Sequence, residues 1–422
     1  MAAAIQSFHD SGDSESKSTP RLYSVVRKPI LDLRGRVHAY ELRSRGELIH
    51  NGADACNNLI ETAATFGLEK PSEFKRLTGK LKAFVRCPVE ALSEQLAQVL
   101  PASLTVLEIV PGLEVSPELI TTCRQLKILG FRFALDDFRA EPEGSIMELA
   151  DYVNVDFART LPEARRELVK GLHGKEITIV ANGVNTQADY RRARDEGFSL
   201  FEGLYFCEPV EVRNRRPPVN QMLRLNIMKS LQQNPMDMHK VSELVMRDGP
   251  ITYQLLRLVN SPVWGMRQKV ESIQVALVAV GENAFRRIAT LAITAEFNGD
   301  QPAELLCMAI LRGRFCELTA SKRGLDPFGQ YLLGLFSLLP AMQGQPMSEV
   351  IRTLPLGDEI LEALMGENRP ERAVLSWLEN CERGDWAACD TASQADGLNQ
   401  LDLSRVYIES VAWAEAALHS GA

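Results

Sequence analysis

Histidine is scarce in this 422-residue chain. There are six, His9, His38, His50, His173, His239 and His419, and none lies between residues 240 and 418. That stretch therefore lacks the side chain that most often ligates transition metals or moves protons near neutral pH. The eight cysteines, at 56, 87, 123, 207, 307, 316, 381 and 389, contain no C-x-x-C pair. Their scatter predicts buried, reduced thiols of a cytoplasmic protein, with neither a disulfide framework nor a zinc site. No apolar run reaches the ~18 residues of a bilayer-spanning helix, so no membrane insertion is expected. Positive charge is in deficit, 47 Lys+Arg against 55 Asp+Glu for a net charge of -8, which argues against a general nucleic-acid surface. The opening MAAAIQSFHDSGDSESKSTP has neither the basic start nor the apolar centre of a signal peptide, and residues 1–20 are expected to be a disordered tail. The rest is ordinary for a globular protein, 45% hydrophobic and 24% charged.

Two architectures share the chain. Residues 21–210 alternate short β runs, LYSVVRKPILDL, RVHAYELRSR, KAFVRC, LTVLEIV, FRFALDDF, YVNVDF, TIVANGV and LFEGLYF, with helical stretches. In PELITTCRQLKILG, Leu119, Cys123, Leu126 and Leu129 recur at helical spacing and Gly130 reads as the stop. TQADYRRARDEG repeats the design and ends at Gly197. About eight strands with crossovers predict a compact α/β, TIM-like (β/α) barrel, although periodicity alone admits an open doubly wound sheet. Residues 211–218, EVRNRRPP, read as a linker whose arginines form a solvated charge run. Strand signals then vanish, and 219–415 read as an all-α multi-helix domain before a short tail at 416–422. There ENAFRRIATLAITAEF sets Phe285, Ile288, Ala292 and Ala295 on one face, Asp326-Pro327 reads as a helix start, and Asp402 is expected to begin another helix.

The motifs YELRSR, LEIV, DDF, VNVD, ANGVN and EGLYF follow one another at the ends of successive strands. In that order the first half resembles the EAL domain, the bacterial barrel that hydrolyses cyclic di-GMP. The second half resembles the HDOD domain through LLRLVNSPVWGMRQKVESIQVALVAVGENAFRRIATLA. Together the motifs resemble an EAL-HDOD signalling protein over residues 22 to about 415. The resemblance implies that Glu41 matches the signature glutamate, Arg45 the arginine that touches substrate phosphate, Glu108 a metal-binding glutamate, and Asp136 and Asp137 the metal-binding aspartate pair.

Other positions depart from the family. Arg86 stands where the family has a metal-ligating asparagine, and Asn154 where it has the catalytic lysine. Asn182 and Asn185 replace two glutamates, Glu202 replaces a glutamine, Lys28 stands for an early glutamine, and Arg139-Ala140-Glu141 replace a Gly-Thr-Gly loop. Two-metal phosphodiester hydrolysis needs several convergent anionic oxygens and a base to orient water. An asparagine offers one neutral oxygen and cannot act as a base near neutral pH. The expectation is a pseudoenzyme with no catalytic residues.

The acids Glu41, Glu108, Asp136 and Asp137 leave room for a weak Mg²⁺ or Ca²⁺ site, but Arg86 brings a cation into the same cluster, and no cofactor is expected. Arg86 is expected to fork between Glu41 and Glu108. Asp136 is expected to pair internally, Asp137 to cap a loop, and Arg45 to form a salt bridge at the mouth. Ser337-Leu338 fall about where a His-Asp dyad would sit, so metal-dependent hydrolysis is not expected in the helical half. Asn260, Ser261, Pro262, Trp264 and Gly265 read structurally: the first three end a helix, Trp264 plugs the core and Gly265 permits a turn. The expected function is protein–protein interaction in a bacterial signalling pathway, mainly through the HDOD domain. Cyclic di-GMP binding is in doubt. The alternatives are a non-hydrolysing cyclic di-GMP receptor and a phosphodiesterase with altered ligands.

Overall fold

The structure, a computed structural model, describes residues 24–45, 67–68, 70–87, 92, 100–109, 116–136, 146–210 and 221–418. Eight strands close into a barrel in chain order: β1 (Val25–Asp32), β2 (Val37–Ser44), β3 (Lys82–Cys87), β4 (Thr105–Ile109), β5 (Arg132–Leu135), β6 (Tyr152–Asp156), β7 (Thr178–Asn182) and β8 (Leu200–Glu202). All neighbours are parallel except β1, which runs antiparallel to both β2 and β8. The simple (β/α) alternation therefore fails at its first step. Only Leu33 to Arg36 separate β1 from β2, too short a segment for the crossover that parallel pairing requires. The Asp32 carboxylate accepts the Arg34 and Arg36 N–H groups at 2.8 and 2.9 Å and closes this hairpin.

Helices α1 (Pro71–Thr78), α2 (Pro117–Ile128), α3 (Pro162–Leu172) and α4 (Gln187–Glu196) lie between later strands. Ser116 caps α2 through the Leu119 N–H, and Leu119, Cys123 and Leu126 are its buried face. Thr186 caps α4, which ends at Gly197 in the left-handed conformation.

From Gln221 the described residues are helical: α5 (Gln221–Leu231), α6 (Met238–Met246), α7 (Gly249–Val259), α8 (Ile273–Val280), α9 (Glu282–Asn298), α10 (Ala303–Ala320) and α11 (Pro327–Phe336). Then come α12 (Leu339–Gln343), α13 (Met347–Val350), α14 (Asp358–Leu364), α15 (Ala373–Arg383), α16 (Trp386–Asp396) and α17 (Gln400–Leu418). Phe285, Ile288 and Ala292 are buried on α9, while Ala295 is half-buried. Asp326 caps α11 through Gly329 N–H. The last helix starts two residues before Asp402 because the Asn399 side chain accepts the Leu401 and Asp402 N–H groups at 3.1 and 3.2 Å. It also runs to Leu418, inside the segment read from sequence as a tail, with Ala417 buried. No helix among the described residues is long and apolar enough to cross a membrane.

The halves share one apolar core. Val26, Leu42 and Leu77 of the barrel belong to the same buried cluster as Cys307, Leu403, Tyr407 and Val411 of the helices. On the outer face of the β1–β2 hairpin, Arg27 is set into that core. Its guanidinium donates to Leu77 O at 2.8 Å and Glu415 Oε1 at 2.7 Å, lies 3.6 Å from Glu304, and covers the Tyr40 ring at 4.2 Å. Burial opposes its charge, but Tyr40, Glu304, Cys307 and Glu415 together hold its pKa well above the ordinary value.

Candidate functional site

The barrel has its own inner core of Ile30, Ala39, Phe84, Val106, Ala134, Val180 and Leu200, with Tyr152 against it. Strand side chains alternate, so the residue two places further toward the carboxyl end of each parallel strand also faces inward. Those residues are Glu41, Arg86, Glu108, Asn154, Asn182 and Glu202, with Asp136 just past the end of β5. On antiparallel β1 the equivalent is two places earlier, Lys28, which sits opposite Glu41 in register. Arg43 is the next inward position on β2. One simple period thus assembles the candidate site at the mouth.

The mouth is paired within itself. Arg86 Nη2 donates to Asp136 Oδ2 at 2.8 Å, Arg43 Nε to Glu41 Oε1 at 2.9 Å, and Asn154 Nδ2 to Glu108 Oε1 at 2.6 Å. Glu202 accepts the Gly183 N–H at 2.9 Å and faces Lys28 Nζ at 3.6 Å. Arg86 does not fork between Glu41 and Glu108 as the sequence suggested. Arg43 already engages the first and Asn154 the second, and Asp136 takes the guanidinium. Asp137 and residues 139–141 lie outside the described residues.

Burial works to raise all three mouth glutamates, and the charges beside each one separate them. Burial raises the Glu108 pKa well above the usual carboxylate range, and neighbouring Glu41 and Asp136 add to the rise. Burial raises Glu41 too, against the pull of Arg43. Burial also works to raise Glu202, but Lys28, Arg43 and the Gly183 N–H override it and hold that carboxyl below its ordinary value. Four buried mouth oxygens, Glu41 Oε2, Glu108 Oε2, Asn154 Oδ1 and Glu202 Oε1, have no hydrogen-bond partner, although the last lies 3.6 Å from Lys28 Nζ.

A pair of divalent metals needs convergent anionic oxygens, and each described mouth acid is engaged by a cation or amide of this chain. Among the described residues, no three His, Cys, Asp or Glu side chains form a group that could hold a metal ion.

The asparagines divide in role. Asn182 ends β7, and its carbonyl accepts the Phe157 N–H at 2.9 Å. Asn185 lies in the following loop, where its side-chain oxygen accepts the Leu204 N–H at 3.2 Å. This loop and the end of β8 approach so closely that a Cβ on Gly203 would meet Val184 O at 2.1 Å.

The helical half reaches the rim. Arg45, one residue past β2, hydrogen-bonds Gln400 and grips the Asp390 carboxylate, at 2.6 Å to Oδ2. Lys28 Nζ donates to Arg383 O at 3.1 Å while also facing Glu202. Arg45 does form a salt bridge, with an acid 345 positions away across the domain contact.

Within the helices, Asn260 clamps a loop. Its amide donates to Leu256 O and Val270 O at 2.7 and 2.8 Å, and its oxygen accepts the Val270 N–H at 2.7 Å. Ser261 is buried, Pro262 and Trp264 bound a short 3₁₀ turn, and Gly265 is left-handed. Trp264 is half-buried and packs edge-on to Trp413 at 5.9 Å, which is less than the core plug expected of it. Ser337 accepts a hydrogen bond from Arg312 at 3.0 Å, and Arg312 is also bound to buried Glu382. The place expected for a His-Asp dyad holds an internal ion pair.

Sequence reasoning overlooked Arg43, although it stands two residues after Glu41 and so shares its inward face. It also missed the second contact of Lys28, because Arg383 is too distant in sequence for any local signal.

Residues 217–334 match the HDOD domain family. Along nearly its whole length the chain is similar to the uncharacterized protein YuxH of Bacillus subtilis, 28% identical over 92% of this chain and 97% of that one. It is also similar to the cyclic di-GMP phosphodiesterase CdgJ of Vibrio cholerae, 25% identical over 93% of this chain and 92% of that one. Among solved structures, Klebsiella pneumoniae BlrP1 with manganese and cyclic di-GMP matches 46% of this chain and 57% of its own, at 19% identity and a TM-score of 0.36. An EAL domain protein of Listeria monocytogenes matches 44% and 87%, at 17% identity and a TM-score of 0.35. The HDOD match thus falls on the helical half, behind the closed eight-stranded barrel.

Proposed function

We propose that this chain is a catalytically inactive EAL-HDOD regulatory protein of a bacterial signalling pathway that works by binding other proteins, chiefly through its helical half. One observation carries the reading: every described acid of the barrel mouth is engaged by a side chain of the same molecule. Arg86 supplies a fixed positive charge beside Asp136, where divalent ions would have to compete with a guanidinium already in place. Asn154 supplies an amide where proton transfer would need an ionisable group. Arg45, the position that the EAL resemblance links to substrate phosphate, is spent on Asp390 and Gln400. The mouth is arranged as a structural joint.

A second reading has its own support. The Vibrio cholerae relative is named a cyclic di-GMP phosphodiesterase, and the unpartnered oxygens of Glu41, Glu108 and Asn154 are suitable donors for a hard cation. Under that reading the chain binds or cleaves cyclic di-GMP with help from Mg²⁺ or Ca²⁺. Calorimetric titration of the full chain with cyclic di-GMP, with and without Mg²⁺, separates the two. The proposal expects no heat of binding in the low micromolar range in either buffer, and a submicromolar site in either would overturn it.

A further inference from the structure

We infer that Cys381 and Cys389 form a thiol–disulfide site that takes two electrons' worth of oxidation from a small disulfide or a peroxide, and that oxidation there disturbs the grip of the helical half on the barrel rim. The sulfurs lie 3.4 Å apart, one near the end of α15 and the other in the first turns of α16. Both are buried. The connection between the helices is Gly384-Asp385, with Gly384 at φ 76°, so the hairpin is short and the pair sits near its base. Cys389 also contacts Trp377 O at 3.7 Å. Cys381 can therefore donate to Cys389 while Cys389 donates to that carbonyl, an orientation that aims one sulfur at the other.

The neighbours of the pair give it a lever. Two residues after Cys381, Arg383 O accepts from Lys28, the mouth cation that faces Glu202. One residue after Cys389, Asp390 holds Arg45. A disulfide is ~2.05 Å long, so the sulfurs must close by more than ~1 Å, and whatever side-chain rotation does not supply falls on the helices that carry both grips.

The chemistry balances in either form. A disulfide RSSR is attacked by the first thiolate, releasing RSH and leaving a mixed disulfide. The second thiol then displaces the other RSH, and both thiol protons end on the released thiols. With hydrogen peroxide, the first sulfur is oxidised to a sulfenic acid with release of one water, and attack by the second sulfur releases another. Burial, the hydrogen bond with Cys389 and the charge of that neighbour push the Cys381 thiol well up, with Arg45 pulling the other way. First attack is accordingly slow, and it awaits local opening. Once it has happened, the nearby second sulfur closes the ring faster than a second outside molecule arrives.

The test uses the full-length wild-type chain, folded, incubated with glutathione disulfide, quenched in acid, alkylated and digested for mass spectrometry. The expected product joins Cys381 to Cys389, about 2 Da lighter than the two reduced thiols, with two of the eight thiols lost. Hydrogen exchange on the same sample should rise in peptides covering residues 24–30 and 41–45, where Lys28 and Arg45 lie. Stable glutathione adducts on either cysteine, full alkylation of both, or a disulfide that leaves exchange at those strands unchanged would each overturn the inference. Cys381→Ser should abolish the product, but the wild-type measurement decides the matter even if that variant does not fold.

Discussion

Replacing Arg27 with methionine is the most informative perturbation of the joint between the halves. Its side chain is 2% exposed and its partners Glu304 and Glu415 are 5% and 15% exposed. Methionine keeps most of the apolar stem and removes the charge, the hydrogen bonds to Leu77 O and Glu415, and the contact over Tyr40. Removing one member of a buried ion cluster leaves the others uncompensated and costs about 3–5 kcal/mol. That is a large share of the ~5–15 kcal/mol by which a folded protein is stable. All four tryptophans, Trp264, Trp377, Trp386 and Trp413, lie in the helical half, so fluorescence reports that half while circular dichroism reports both. In urea the parent should show one coincident transition, because its core is continuous. Arg27→Met should unfold earlier, and the triple variant Arg27→Met, Glu304→Gln, Glu415→Gln should recover much of the loss. A loss below about 1 kcal/mol for the single variant, or signals that already separate in the parent, would refute the argument.

Arg86→Asn should lower stability by about 1.5–3 kcal/mol, the range for a charge-assisted hydrogen bond, and nearer the low end because Arg86 is partly exposed. Urea midpoints check this, and an unchanged midpoint would contradict the pairing with Asp136. Glu108→Gln tests the sign of a raised carboxyl. Stability from such a group is present below its unfolded pKa of ~4.3 and is lost as pH rises through the higher folded value. The variant should therefore gain stability relative to the parent as pH rises from 5 to 8. Parallel pH profiles would show that Glu108 does not titrate as described.

The barrel was readable because each strand carries its own two-residue alternation, and all eight expected strands formed. The antiparallel start was readable too, from the short Leu33–Arg36 turn, but the expectation of a repeating crossover hid it. In the mouth, strand order brought Glu41, Arg86 and Glu108 together, while their pairing depended on Arg43 and Asn154 competing for the same acids. No local pattern ranks such competitors. The domain joint was the least legible part. Arg27 looks like an ordinary strand residue until Glu304 and Glu415 arrive from helices far along the chain, and Arg45 meets Asp390 only after both halves have folded. These contacts also weigh against treating residues 219–415 as a freely separable docking module, because isolating them exposes the shared core.

The central claim is that the mouth is internally paired and chemically silent. Its most direct test is turnover of cyclic di-GMP by the purified full-length chain with Mg²⁺ or Mn²⁺, followed by chromatography of the linear product. Since loss of each base or charge-stabilising group typically costs ~10²-fold or more, no product above the protein-free background is predicted. Metal-dependent turnover at an ordinary enzyme rate of about 1 s⁻¹ or faster, abolished by Glu41→Gln, would contradict the account.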